Sequence, residues 1–275
     1  MNTLTSLARD WLPPTVVRCV RYFRGGRGIL FEGDYATWGE ASTQCTGYDA
    51  EGILAKVLDA TRKVKCGEAA FERDSVLFDH IEYAWPVLSG LMWVAARNGG
   101  RLNVLDFGGS LGSSYFQNRN FLQTLPEVRW NVVEQVNYVE AGRAYIQNEQ
   151  LKFFRTIEEC LQTNQPNVIL LSGVLQYLPD PYSLLKELLA IQASAVILDR
   201  TCYLNQGKRE LIKIQHVPAT VYAASYPCRF FLEEKLSNFI SGSGYRKLEA
   251  FESIDQLDAI ASWKGHIFYR QPHDS

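Results

Sequence analysis

Leu102-Asn103-Val104-Leu105-Asp106-Phe107-Gly108-Gly109-Ser110-Leu111-Gly112 is the stretch that decides how this 275-residue chain is read. A short, mostly apolar run ends in an acid and feeds a glycine cluster. A helix follows from about Ser113 to Gln123. This is the order of a buried strand, a tight turn and a crossover helix. Glycine has no Cβ, so a ligand can approach the turn's backbone closely. The first N–H groups of the following helix lack partners within the helix. In an open α/β sheet ligands bind at this edge.

Downstream the same pattern repeats. Trp130-Asn131-Val132-Val133-Glu134 is a second apolar run, followed by a helical stretch from Asn137 to Gln147. Leu151–Phe154 is a short third strand. Asn167–Ser172 is a fourth, with its helix over Asp180–Ala190, and Ala193–Asp199 is a fifth. Strands alternating with helices of this length predict a parallel sheet with helical crossovers. After Asp199 the pattern loosens. Residues 200–230, with Tyr203, His216, Pro218, Tyr222, Tyr226 and Pro227, read as an insertion covering the C-terminal edge of the sheet. Phe231–Ser241 reads as a helix, and Tyr245–Glu252 and Lys264–Arg270 as two final strands.

Upstream the chain reads as mostly helical. In the first thirty residues Arg9, Arg18, Arg21, Arg24 and Arg27 face only Asp10 and alternate with apolar residues, and Pro13-Pro14 divides them into two helical pieces. Such a stretch either docks on the core or lies on an anionic membrane surface. Gly33–Gly47 reads as a loop, and Asp49 as the N-cap of a helix carrying Ile53, Leu54, Val57, Leu58 and Val64. A second helical region runs from about Ser75 to Arg97, kinked or divided by Pro86 and ended by Asn98-Gly99-Gly100. The division is therefore 1–98, a helical cap and substrate region, and 99–275, a ligand-binding Rossmann-like catalytic domain.

Composition narrows the function classes. Hydrophobic residues make up 47% and charged residues 21%, the balance of a globular protein. The formal net charge of −2 argues against a broad electrostatic grip on nucleic acid. The six cysteines form no C-x-x-C pair and none sits at metal-ligand spacing to a histidine, so no metal site is expected. No signal-peptide pattern and no long apolar span is present, and scattered cysteines suit the reducing cytoplasm.

Two acids decide between cofactors. Asp106 ends the first strand just before the glycines, where its carboxylate would repel a pyrophosphate. S-adenosylmethionine carries no phosphate and has a positive ammonium and sulfonium. Glu134 ends the second strand, where it can accept both hydroxyls of an adenosyl ribose; alone it suits NAD equally.

Asp106–Gly112 resembles the D-x-G-x-G-x-G loop of class I S-adenosylmethionine-dependent methyltransferases, with Ser110 in place of the middle glycine. Ser172-Gly173-Val174-Leu175-Gln176-Tyr177-Leu178-Pro179-Asp180-Pro181 resembles that family's segment after the fourth strand. Gly33–Trp38, Gly47-Tyr48-Asp49 and Phe71–Ser75 are similar to a bacterial group of methyltransferases associated with surface-polysaccharide gene clusters. The resemblance implies a Rossmann-like α/β sheet of parallel strands with an antiparallel C-terminal strand. It implies S-adenosylmethionine as cofactor, S-adenosylhomocysteine as product, and a small-molecule or glycan-precursor acceptor. It places cofactor contacts at Asp106, Gly108, Gly109, Ser110, Gly112, Glu134, Gln135, Thr156, Ser172, Gly173 and Val174. One departure is the segment Phe153–Ile157, which has no acid where relatives hold the adenine amino group.

Methyl transfer to a hydroxyl needs alignment and a base. His216, in the insertion, is the first candidate and Asp199, ending the fifth strand, the second. Trp38, Tyr222 and Tyr226 could stack on a sugar ring, and Arg73, within Glu72-Arg73-Asp74, could hold substrate polar groups. His80 and His266 read as structural. Two rivals stay open: a non-catalytic scaffold that kept the fold, and an NAD-linked sugar oxidoreductase using Tyr182 and Lys186, which have Tyr-x-x-x-Lys spacing.

Overall fold

A computed structural model describes residues 30–45, 50–73, 75–217, 224–253 and 260–271. The first thirty residues save Leu30, together with Asp49, Asp74 and Tyr222, lie outside the described residues. The N-terminal part contains β1 (Leu30–Tyr35), α1 (Trp38–Thr43), α2 (Ala50–Cys66), β2 (Phe71–Arg73), β3 (Val76–Phe78) and α3 (Trp85–Arg97). Next come β4 (Arg101–Phe107), α4 (Ser113–Leu122), β5 (Glu127–Val133), α5 (Val136–Ala141), β6 (Leu151–Phe154) and α6 (Ile157–Leu161). The last part holds β7 (Val168–Ser172), α7 (Pro181–Ala190), β8 (Ala195–Leu204), β9 (Leu211–Val217), β10 (Ala224–Phe230), α8 (Glu233–Ser241), β11 (Tyr245–Glu252) and β12 (Ala261–Arg270).

Seven strands form the central sheet in the order β11-β12-β8-β7-β4-β5-β6. The ladders from β8 to β6 are parallel, and β12 runs antiparallel to both its neighbours. This is the Rossmann-like α/β sheet with an antiparallel C-terminal strand. Its central parallel strands are buried on both faces, which is why they read as apolar runs, while β11 at the edge is mostly exposed. Val104, Trp130, Val132, Leu170 and Ile197 point to the layer holding α2, α3 and α4. Leu105, Ile169, Leu171, Val196 and Leu198 point to the layer holding α6, α7 and α8. Gly90 lets α3 lie close on the sheet: a Cβ there would sit 2.9 Å from Ile197 Cδ1 and 3.0 Å from Ile267 Cδ1.

The cover over the C-terminal edge is β-structure. β9 and β10 form an antiparallel hairpin, and β1 adds to the other side of β9. Side chains alternate along these strands, so the small sheet has two distinct faces. Phe31, Leu211, Cys228 and Phe230 pack against Tyr177, Cys202, Leu204, Ala261 and Trp263 of the main domain. Ile212 and Ile214 turn the other way and pack under α1, against Ala41 and Trp38.

Three expectations for the N-terminal part need correction. Gly33–Gly47 is not a loop throughout: β1 and α1 occupy most of its described residues, and Thr37 caps α1 by accepting from Glu40 N. Ser75–Arg97 is not one kinked helix. It opens with the β2–β3 hairpin, and the helix begins only at Trp85, with Pro86 in its first turn where a missing N–H costs nothing. Among the described residues up to 98, the three helices are therefore interspersed with strands, and β1 belongs to a sheet completed by β9 and β10.

Candidate functional site

The strand order reverses between β4 and β7, so the loops after these two strands diverge around a crevice. The glycine loop after β4 meets the segment after β7 directly. A Cβ on Gly108 would come within 2.5 Å of Val174 Cγ2. Gly108, Gly112 and Gly173 have φ of 70°, 90° and 68°, values that disfavour a side chain. Ser110, standing where the resemblance expects glycine, keeps the left-handed conformation at φ 53°. The loop shape survives the serine, at a cost on the order of 1 kcal/mol.

Asp106 lies beneath this loop, 1% exposed. A Cβ on Gly109 would overlap its carboxylate. Trp130 Nε1 donates to Asp106 Oδ2 at 2.9 Å, while Oδ1 has no partner among the described residues. Burial pushes the carboxyl up to about 7; the Trp130 hydrogen bond opposes the rise and the Glu134 charge adds to it. A buried carboxylate oxygen without a donor is costly, and a ligand that donates to it relieves that cost.

Glu134 follows β5 directly, one strand over. Its backbone N–H donates to Phe154 O at 3.1 Å and its carboxylate accepts from Gln135 N. Burial raises its pKa. Gln135 is exposed beside it. Thr156, exposed after β6, caps α6 by accepting from Glu159 N at 3.0 Å, so its hydroxyl is already engaged. These residues, with Ser172, Gly173 and Val174, all sit at the C-terminal edge of the sheet.

Both Asp199 oxygens are occupied. Ser172 Oγ donates to Oδ2 at 2.9 Å and Ser253 Oγ to Oδ1 at 3.0 Å. Burial raises its pKa against those bonds and the Arg200 charge. β8 runs on to Leu204, so Asp199 lies within the strand and not, as expected, at its end; it is a latch joining the end of β7 and the middle of β8 to the segment after β11. Arg200, in the left-handed region at φ 50°, lays its guanidinium beside Gly173; a Cβ there would be 3.5 Å from Cζ.

His216 lies on the face of β9 that turns away from the main domain. It pairs with Leu30 and Ser225 on the outer face of the cover, and its Nε2 lies 3.2 Å from the exposed Glu32 carboxylate. Strand alternation puts its neighbour Gln215 inward instead. There Tyr177 Oη donates to Gln215 Oε1 at 3.0 Å, and Gln215 Nε2 to Tyr226 Oη at 3.2 Å, with the two tyrosine rings edge to face. Tyr226 thus faces the main domain. Trp38 faces the outer side, beneath the Arg229 guanidinium at 6.0 Å. Arg73 pairs with Glu82 at 3.7 Å and lies over the Phe78 ring.

Tyr182 is bound into the core by its hydrogen bond to Glu210 and by Phe239 and Phe231, and burial raises its pKa, so the oxidoreductase pairing with Lys186 has no geometric support. His266 is fully buried against Glu233 at 3.0 Å, and His80 is an exposed partner of Asp79. Gln176, Tyr177, Gln215 and Arg200 had no site role in the sequence reading, and the buried Glu72 entered it only within the Glu72-Arg73-Asp74 cluster. The alternation in Leu211-Ile212-Lys213-Ile214-Gln215 puts Gln215 on the face opposite Ile212 and Ile214 without marking which face turns inward.

No family model matches the sequence, and no curated protein matches it. Similar solved structures exist. One is the N-terminal domain of EvdMO1 in the presence of SAH and D-fucose, at 14% identity and TM-score 0.48, over 78% of this chain and 96% of that one. Another is the 1,6-didemethyltoxoflavin-N1-methyltransferase of Burkholderia thailandensis with its namesake compound and S-adenosylhomocysteine bound, at 12% and 0.43, over 91% and 98%. A third is SAM-bound CalS10, an amino pentose methyltransferase of Micromonospora echinaspora, at 12% and 0.44, over 68% and 90%.

Proposed function

We propose that this chain is an S-adenosylmethionine-dependent methyltransferase that O-methylates a sugar or other small glycan precursor. The observation that carries the reading is Asp106, a buried acid under a glycine loop with one oxygen lacking a donor among the described residues. That arrangement suits an ammonium and repels a pyrophosphate. S-adenosylmethionine supplies a methyl group on a positive sulfur, leaving S-adenosylhomocysteine when the methyl passes to the acceptor. Asp106 would accept from the ammonium, and Glu134 from the ribose hydroxyls. The backbone of Gly108, Gly109, Ser110 and Gly112 would approach the methionine part. Gln135, Thr156 and Ser172–Val174 would wall the adenosine.

Tyr177 of the main domain and Gln215 and Tyr226 of the cover present uncharged hydrogen-bonding groups, which suits acceptor hydroxyls better than carboxylates or phosphates. The outward turn of His216 favours a second reading. An amine attacks through its own lone pair and needs less help from a base than a hydroxyl does, so N-methylation of an amino sugar fits the same crevice. A cytoplasmic location with the basic N-terminus against an anionic membrane accords with a lipid-linked precursor. Sedimentation with anionic vesicles, with and without residues 1–30, tests that point; equal pelleting of both forms rules it out.

The reading is tested by calorimetric titration with S-adenosylhomocysteine. Micromolar binding by the wild type, lost in Asp106→Ala and Glu134→Ala, supports it. No binding by the wild type overturns it and moves the scaffold reading forward.

A further inference from the structure

The β2–β3 hairpin sends one side chain to the glycine loop from outside the sheet. Glu72 is 1% exposed, accepts a hydrogen bond from Ser113 Oγ and another from Ser75 N at 3.3 Å. Ser113 is the first residue of α4, directly after Gly112. That helix has no side-chain cap of its own and no acid in its first turn. Glu72 therefore supplies the carboxylate that a helix N-terminus favours. Its position has a second consequence. Asp106 at one end of the loop and Glu72 at the other place two buried carboxyl groups around Gly108–Gly112, and Asp106 Oδ1, with no donor among the described residues, offers a place for a group that donates. A buried carboxylate is stabilised by a positive charge brought near it.

We infer that Glu72 is a second acidic determinant of the cofactor site, selecting ligands that carry a primary ammonium by holding α4 and its own negative charge at the methionine end of the loop. The inference rests on the cofactor reading above. It goes beyond it in giving the N-terminal region a part in cofactor selection. Glu72 acts through Ser113 and through its field, so it is a positioning residue.

The test compares S-adenosylhomocysteine, which carries the ammonium, with 5′-methylthioadenosine, which lacks the whole amino-acid end. Both are titrated calorimetrically into wild type, Glu72→Gln and Glu72→Asp, with thermal unfolding of each variant recorded. Glu72→Gln keeps an oxygen for Ser113 and removes the charge. It is expected to weaken S-adenosylhomocysteine about tenfold while changing methylthioadenosine less than about twofold. Glu72→Asp keeps the charge but draws it back, and gives a smaller fall in the same ratio, so it carries the test if the glutamine variant does not fold. Equal weakening of both ligands means that Glu72 only supports the helix, and overturns the inference. So does an unchanged ratio in whichever variant folds, and in both cases normal wild-type binding leaves the cofactor reading standing. A wild type that binds neither ligand removes both together.

Discussion

The Trp130 indole donates to the Asp106 carboxylate across neighbouring parallel strands at 2.9 Å. The second strand thus fixes the acid that ends the first, choosing which oxygen is satisfied and which is left for a ligand. Trp130→Phe keeps the ring's packing and removes the donor. Losing a bond that lowers the Asp106 pKa makes the acid harder to ionise. Affinity for S-adenosylhomocysteine is expected to fall about tenfold at pH 7 and to recover part of the loss at pH 8.5. Calorimetry at the two pH values checks this; a loss independent of pH would assign the effect to packing.

Proton release on binding should follow from the same acid. The free Asp106 carboxyl is about half protonated near pH 7, and an ammonium beside it lowers its pKa. Binding at pH 7 is then accompanied by release of roughly half a proton. Titrations in buffers of different ionisation enthalpy measure that number. A value of zero would mean that the ammonium does not reach Asp106.

Stability without ligand should show the opposite face of this shift. The folded carboxyl titrates near 7 and its ordinary value is 3.8, so the folded state holds a proton that the unfolded state gives up. The contribution is fully present below about pH 4 and is lost as pH rises through about 7, on the order of 4 kcal/mol in all. Asp106→Asn removes this fall. Its melting temperature is expected to gain on the wild type between pH 5 and pH 8, and parallel melting curves across that range would contradict the assignment.

Gly108→Ala would place a methyl group 2.5 Å from Val174 Cγ2 at a φ of 70°. It is expected to cost about 1–3 kcal/mol of stability and to abolish cofactor binding, because the two loops can no longer meet. Thermal unfolding and titration of one sample measure both.

His216→Ala is expected to leave the rate of methyl transfer within about twofold of wild type, since the imidazole sits on the outer face of the cover. A drop of a hundredfold, of the size general-base loss gives, would restore His216 to the reaction.

The central sheet was legible because parallel strands buried on both faces leave apolar runs that need no partner to recognise. The 168–172 strand and the 151–154 strand stand in the structure nearly as the sequence suggested. The glycine loop, Asp106 and Glu134 were legible for a related reason: a strand, a turn and a helix are contiguous in the chain. The cover was not. Leu30–Tyr35 is mostly exposed along its length and interrupted by Gly33 at φ 75°, so it lacks an apolar signature. Which of Gln215 and His216 faces inward depends on how β9 is pressed against the main domain, a fact stored in contacts with Tyr177 and Trp263 rather than in either residue. Glu72 was hidden likewise, since its partner Ser113 lies 41 residues away in sequence.

The pairing of β1 with β9 joins positions far apart in the chain: Lys213 Nζ reaches Gly33 O across 180 residues. A ribosome adding about 5–20 residues each second needs roughly 10–35 s between exposing the first partner and releasing the second. During that interval the nucleotide-fold strands can pair with one another while β1 waits. β1 thus stays without its sheet partner through most of synthesis, a strand open to capture by a chaperone or by a neighbouring nascent copy.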